Sequence, residues 1–197
     1  MQNPSSPRIL LASSSRYRQG LLDRFLSDYE TLSPGVDETA LEGEDPEGLA
    51  TRLARAKAEA LSSTNPDALI IGADQLAVLD GQVLGKPGDH EKAVEQLLAA
   101  SGKKVSFMTA VCLLDPVTRG RYEHTDHTRV TFRQFDRRLA DAYLRHDEPY
   151  DCAGSFKIEG AGFVLFESVR TDDPTALVGL PMIWLAGTLK ELGYLLP

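Results

Sequence analysis

Cysteine is nearly absent from this 197-residue chain: Cys112 and Cys152 stand 40 positions apart. Two thiols so separated make neither a disulfide framework nor a metal-ligand spacing, and they suit the reducing cytoplasm. No apolar run approaches the ~20 residues of a membrane span. The start, from Met1 to Pro7, is polar and proline-bearing, with neither a cationic nor an apolar leader region, so no signal peptide is expected. Positive charge is scarce too. With 21 Lys and Arg against 29 Asp and Glu, the formal charge is −8 and the pI near 5.0. That balance argues against a general nucleic-acid binder or a protein held on anionic membranes, since both need a positive surface. A small anionic ligand in a local basic pocket remains open.

What is present is an ordinary globular composition: 42% hydrophobic and 25% charged. No linker, repeat or low-complexity tract interrupts it, so a single domain over residues 1–197 is expected. The charge is unevenly spread. Residues 1–22 hold no acid but carry Arg8, Arg16 and Arg18, whereas residues 25–51 hold no Lys or Arg and carry eight acids from Asp28 to Glu47. A solvated acidic loop accounts for most of the second stretch. The alternative is an anion cradle beside a carboxylate cluster, which is what a metal–phosphate site needs.

The hydrophobic pattern predicts strands and helices interleaved along the chain. Residues 8–12 read as a buried strand, followed by the serine loop 13–15 and a helix over 17–26 with Leu21, Leu22, Phe25 and Leu26 inward. A second strand is expected at 31–36. Asp45 and Pro46 start a helix that runs to about Ser62, with Leu49, Leu53, Ala56, Ala60 and Leu61 as its apolar stripe. Residues 68–72 read as a buried strand ending at Ala73-Asp74-Gln75, and Asp80-Gly81 as a hairpin turn. Asp89 caps a helix to Ala100, with Gly102 as its stop; 105–114 and 121–132 form a long hairpin. Asp136 caps a further helix, 163–169 is a strand, and a last helix covers 180–192. The sum is an α/β fold with a mixed β-sheet flanked by helices.

Several loops after apolar runs carry chemistry. In Ala12-Ser13-Ser14-Ser15-Arg16-Tyr17-Arg18, hydroxyls and free backbone N–H groups at a helix start suit an anion, and an arginine one turn in can grip a phosphate; a plain serine cap is the alternative. Asp74, just past the carboxyl end of a buried strand, can hold a metal or take a proton from water, or be an exposed turn aspartate. Lys86, in Gly85-Lys86-Pro87, and Lys57, on an alanine-rich helix, can each reach a phosphate or be solvated. The loop 147–162 has three glycines and Lys157, which let backbone approach a ligand closely. His124 and His127 sit three apart on a strand and point to opposite faces, so they make no zinc site. Cys152 has no histidine base nearby in sequence and reads as a structural thiol.

Taken together, these loops resemble the Maf family of nucleotide pyrophosphatases. Seven ordered motifs carry the resemblance: Leu-Ala-Ser-Ser-Ser-x-x-Arg at 11–18, Val-Asp-Glu-Thr at 36–39, Ala-x-x-Lys-Ala at 54–58, Ile-Ile-Gly-Ala-Asp at 70–74, Gly-Lys-Pro at 85–87, Cys-Ala-Gly-Ser-Phe-Lys at 152–157 and Val-Gly-Leu-Pro at 178–181. The resemblance implies hydrolysis of a nucleoside triphosphate between its α- and β-phosphates, with Mg²⁺ or Mn²⁺ as cofactor. It implies a Maf or inosine-triphosphatase-like fold with two lobes around a central cleft, in a cytoplasmic homodimer. By position, Asp74 matches the family's proton acceptor, and Glu38 joins it to hold metal or water. Lys57 and Lys86 complete the catalytic set, while Ser13, Arg18 and Lys157 match substrate-binding positions. Glu42, Glu44 and Glu47 are left as solvated charges.

The resemblance also reaches substrate choice. A branch of the family that takes dTTP and UTP shows Arg, Thr and Gln at three positions that read Tyr17, Gln75 and Glu159 here. This triplet is similar to the branch that hydrolyses 7-methyl-GTP. Tyr17, where some relatives carry Trp, can stack on the cationic 7-methylguanine ring, and Glu159 can accept from guanine N–H groups. A pyrimidine triphosphate is the alternative substrate, and a non-catalytic regulator of septum formation the alternative role.

Overall fold

Short apolar runs broken by turn and cap residues fold as strands and helices in alternation. The computed structural model describes residues 7–196; the polar start, where no leader is expected, falls almost wholly outside the described residues. Among these there are seven strands and five α-helices. In chain order they are β1 (Arg8–Ala12), α1 (Arg16–Leu22), β2 (Glu30–Thr31), α2 (Pro46–Ser62), β3 (Ala68–Leu79), β4 (Gln82–Leu84), α3 (His90–Ala100), β5 (Lys104–Leu114), β6 (Arg121–Phe132), α4 (Arg137–Asp147), β7 (Phe166–Arg170) and α5 (Met182–Glu191). The sheet order is β2-β1-β3-β5-β6-β7, with β4 also paired to β3. β1 is parallel to β2 and β3, whereas the β3–β4 and β6–β7 pairs are antiparallel, so the sheet is mixed as expected.

The chain gathers into two compact units. One takes in the chain up to Asp74, Thr109–Asp126 and the chain from Asp173; the other takes in Gln75–Met108 and His127–Asp172. In the first unit, alternation along β3 decides which helix meets which face. Leu69, Ile71 and Ala73 join Ile9, Leu11, Leu21, Leu22, Leu185 and Leu189 in the core beneath α1 and α5. Gly72 lies on the other face, where a Cβ would stand 2.2 Å from the Ala54 carbonyl oxygen and 2.6 Å from the Ala58 nitrogen. Only glycine lets α2 come down onto the strand so closely. In the second unit, Phe107, Phe132, Phe156 and Phe166 build an edge-to-face aromatic core, with centroids 4.7–5.7 Å apart.

The helix starts follow local cap chemistry. Asp45 accepts from the Glu47 and Gly48 N–H groups with Pro46 behind it, Asp89 from Lys92, and Asp136 from Leu139. Five expectations shift. The strand expected at 163–169 starts only at Phe166, because a 3-10 helix takes Ala161–Leu165. The second strand shrinks to Glu30–Thr31, opposite Leu10 and Leu11, and the chain reaches Pro34 and Gly35 after two further residues. α1 stops at Leu22, short of Leu26. β3 does not end at Ala73 but continues to Leu79. The buried stripe of α2 is Leu49, Ala50, Leu53, Ala54, Lys57 and Ala58, whereas Ala60 is exposed.

Candidate active site

Lys57 is the centre of the most unusual constellation in the first unit. It stands on the face of α2 that Gly72 admits to the sheet, and its side chain is only 8% exposed. Asp74 lies two residues beyond Gly72, hence on the same face of β3, and is equally buried. Lys57 Nζ donates to Asp74 Oδ1 at 2.6 Å and stands 2.6 Å from Glu38 Oε1, whose side chain is mostly exposed. One ammonium therefore joins two carboxylates. β1 pairs with β3 only as far as Gly72 and β4 only from Ala77, so neither strand covers Asp74 or Gln75. The expected site at the end of a strand is thus an interval within a longer one.

The second oxygen of Asp74, Oδ2, is buried and has no hydrogen-bond partner. Such an atom is costly to leave unpaired. Burial pushes the Asp74 carboxyl above the ordinary carboxylate range; Lys57 and Arg18 pull it back, and Glu38 pushes it up again. The result is a carboxylate with a free acceptor site and an enhanced appetite for a proton.

Arg18 is aimed by the chain around it. Its Nε donates to the Gly179 carbonyl at 3.0 Å and its Nη1 to Ser13 Oγ at 3.3 Å. Gly179 has φ +135°, and a Cβ there would press on the Arg18 side chain at 3.3 Å. Ser13 is buried and also accepts from the Ser15 N–H. The structure therefore brings together Ser13, Arg18, Glu38, Lys57 and Asp74, and it gives Lys57 a buried place that its sequence left undecided. Tyr17 is half-buried; the Arg16 guanidinium lies 4.9 Å from its ring centroid and donates to its hydroxyl at 2.9 Å.

The second unit carries the remaining candidates. Gln75 follows Asp74 on β3 and is half-buried, whereas Lys86 and Glu159 are exposed. Lys157 Nζ donates to the Asp147 carbonyl at 2.5 Å, so its charge caps the last turn of α4. Any phosphate contact by Lys157 competes with that bond.

One residue of this region, Arg52, escaped sequence reasoning. Arg52 grips both oxygens of Glu44, at 2.6 and 2.8 Å, and donates to the Thr39 carbonyl at 3.0 Å. It thereby pins the acidic loop next to Glu38. Glu44 is thus no solvated charge: Arg52 and the Leu41 N–H hold its carboxyl down at about 2. The only available signal was the spacing of eight between Glu44 and Arg52, which no helical rule connects across a loop. His124 stacks on Trp184 at 5.3 Å, in keeping with a structural role.

As a donor set for a cation, Asp74 and Glu38 present two carboxylates, one with an unpartnered buried oxygen. Among the described residues no group of three or more His, Cys, Asp or Glu could hold a metal ion.

The mixed α/β fold thus carries a buried aspartate with one unpartnered oxygen, a lysine bonded to it and an arginine oriented by Gly179 and Ser13. In comparison with known proteins, the Maf-like protein family model matches residues 8–192, and the chain belongs to that family. Its relatives include a 7-methyl-GTP pyrophosphatase of Cupriavidus metallidurans, 49% identical over 195 residues and 98% of both chains. Another, from Xanthomonas axonopodis pv. citri, is 50% identical over 191 residues, covering 97% of this chain and all of the relative. A third, from Nitrosococcus oceani, is 46% identical over 98% of both chains; all three bear the same name.

Proposed function

We propose that this protein is a nucleoside triphosphate pyrophosphatase that hydrolyses 7-methyl-GTP to 7-methyl-GMP and pyrophosphate, with residues 1–197 working as one catalytic domain. The observation that carries the reading is the buried Asp74, held by Lys57 at 2.6 Å with its second oxygen unpartnered. The names of relatives that match this chain almost end to end supply the substrate.

In this reading, Asp74 takes a proton from the attacking water, whose oxygen bonds to phosphorus as the α–β anhydride bond breaks and pyrophosphate leaves. Its raised affinity for a proton fits it as the base, and Lys57 keeps it ionised and in place. Arg18, oriented by Gly179 and Ser13, binds phosphate oxygens. Lys86 and Lys157 add positive charge for the triphosphate. Asp74 and Glu38 hold a divalent cation, Mg²⁺ or Mn²⁺, which when bound neutralises phosphate charge.

Tyr17 offers an aromatic face to the cationic 7-methylguanine. Arg16 now covers that ring, so the base takes the other face or displaces the guanidinium. Gln75 and Glu159 read the base edge, where a glutamate also complements the ring charge. The family resemblance is what suggests a cytoplasmic homodimer. Among the described residues no helix is long and apolar enough to cross a membrane.

Pyrophosphate release from a panel of 7-methyl-GTP, GTP, dTTP and UTP, with Mg²⁺ and with Mn²⁺, tests the substrate. The expected order places 7-methyl-GTP first in kcat/KM. Faster turnover of dTTP or UTP would transfer the protein to the pyrimidine branch, and no turnover of any nucleotide would favour a regulatory role.

A further inference from the structure

Gln96 belongs to none of the motifs above, yet it joins two of them. It projects from α3, half-buried, in the second unit. Its Nε2 donates to the Gly85 carbonyl at 3.0 Å, and its Oε1 accepts from Ser155 Oγ at 2.6 Å. Gly85 immediately precedes Lys86; Ser155 lies two residues before Lys157 and four before Glu159. A primary amide can donate and accept at the same time from one side-chain end, which is what this position requires.

The segments it joins have further ties of their own. Ser155 is fully buried and has φ +62°, a left-handed conformation that a residue other than glycine keeps only when its surroundings impose it. The Gly88 N–H donates to the Tyr150 carbonyl at 2.9 Å, a second tie between the same two stretches of chain. Tyr150 is steadied in turn by His90, whose Nδ1 lies 3.0 Å from its hydroxyl and whose Nε2 lies 3.0 Å from Asp141. The Lys157 N–H donates to the Tyr143 hydroxyl of α4 at 2.9 Å.

We propose that Gln96 is a positioning residue that locks the Lys86 loop and the 152–157 loop into one rigid element, so that a phosphate-binding lysine and the base-reading Glu159 are placed together. The consequence for catalysis rests on the pyrophosphatase reading, but the lock itself does not. The side-chain hydrogen bonds of Gln96 go to Gly85 and Ser155, so its loss should act on binding and selectivity rather than on the chemical step.

The test compares wild type with Gln96→Met, which keeps the length and removes both hydrogen bonds, and with Gln96→Glu, which keeps the acceptor for Ser155 and removes the donor to Gly85. Hydrogen exchange is read at 85–88 and 152–157, and kinetics are read on 7-methyl-GTP and GTP. In Gln96→Met both segments should lose protection together, KM for 7-methyl-GTP should rise about tenfold with kcat within about twofold, and the preference over GTP should fall. Gln96→Glu should loosen 85–88 more than 152–157. If Gln96→Met lowers thermal stability but leaves both segments protected, or leaves KM and preference unchanged in an active enzyme, the proposal is wrong. A wild type with no pyrophosphatase turnover, yet with coupled loss of protection in Gln96→Met, would refute the catalytic reading and leave the lock standing.

Discussion

Asp74 carries two opposed demands. Its burial raises the cost of its charge, and Lys57 at 2.6 Å offsets part of that cost. A carboxyl whose folded-state pKa is raised binds a proton more readily in the native than in the unfolded chain. Its contribution to stability is therefore present below the ordinary value of ~4 and lost as pH rises through the raised one. Two outcomes follow for this single side chain. The acid limb of kcat/KM should lie above the range of an exposed aspartate. In urea unfolding, the stability of Asp74→Asn relative to wild type should increase as pH rises from about 4 towards neutrality; a relative stability that falls over that window would mean that Lys57 dominates and holds the carboxyl down. Sequence alone found Asp74 and Lys57 as candidates, but it could not show that they touch, because their contact depends on how deeply α2 settles onto Gly72.

At the scale of elements, the acidic loop between β2 and α2 is held to the helix by Arg52, which binds Glu44 and the Thr39 carbonyl. Glu44 is depressed to about 2, so its share of stability is present above the ordinary carboxylate value and is lost as pH falls towards 2. Arg52→Ala should release the loop that carries Glu38. Because the pair is partly solvated, the melting temperature should drop by only a few degrees, while exchange at 37–44 rises and kcat/KM falls about tenfold. Unchanged exchange in that loop would show that Arg52 does not hold it.

Helix starts were legible because Asp45, Asp89 and Asp136 cap through contacts within three residues, whereas Arg52 reaches across a loop that no local rule closes. The end of β3 was misplaced for a related reason. Asp74 and Gln75 look like a turn by composition, and only the sheet around them makes them strand.

For the whole molecule, the net charge of −8 hides an alternation that matters more than the sum. The basic stretch before Leu22 supplies Arg18, and the acid-only stretch supplies Glu38. The tertiary fold brings both to the electrostatic surroundings of Asp74. The ordered motifs made the family legible, because each keeps its residue types at fixed spacing. The competing duties were not: Lys157 capping α4 and Arg16 covering Tyr17 arise only when distant turns and neighbouring side chains settle in space.

In the proposed reaction Asp74 serves hydrolysis of the α–β anhydride of 7-methyl-GTP. The most direct test is the identity of the products formed from 7-methyl-GTP with Mg²⁺ by wild type and by Asp74→Asn, separated by anion-exchange chromatography. Wild type should give equal amounts of 7-methyl-GMP and pyrophosphate, and Asp74→Asn should lose about a hundredfold or more in rate while remaining folded. Release of 7-methyl-GDP and phosphate, or undiminished turnover by Asp74→Asn, would contradict this assignment.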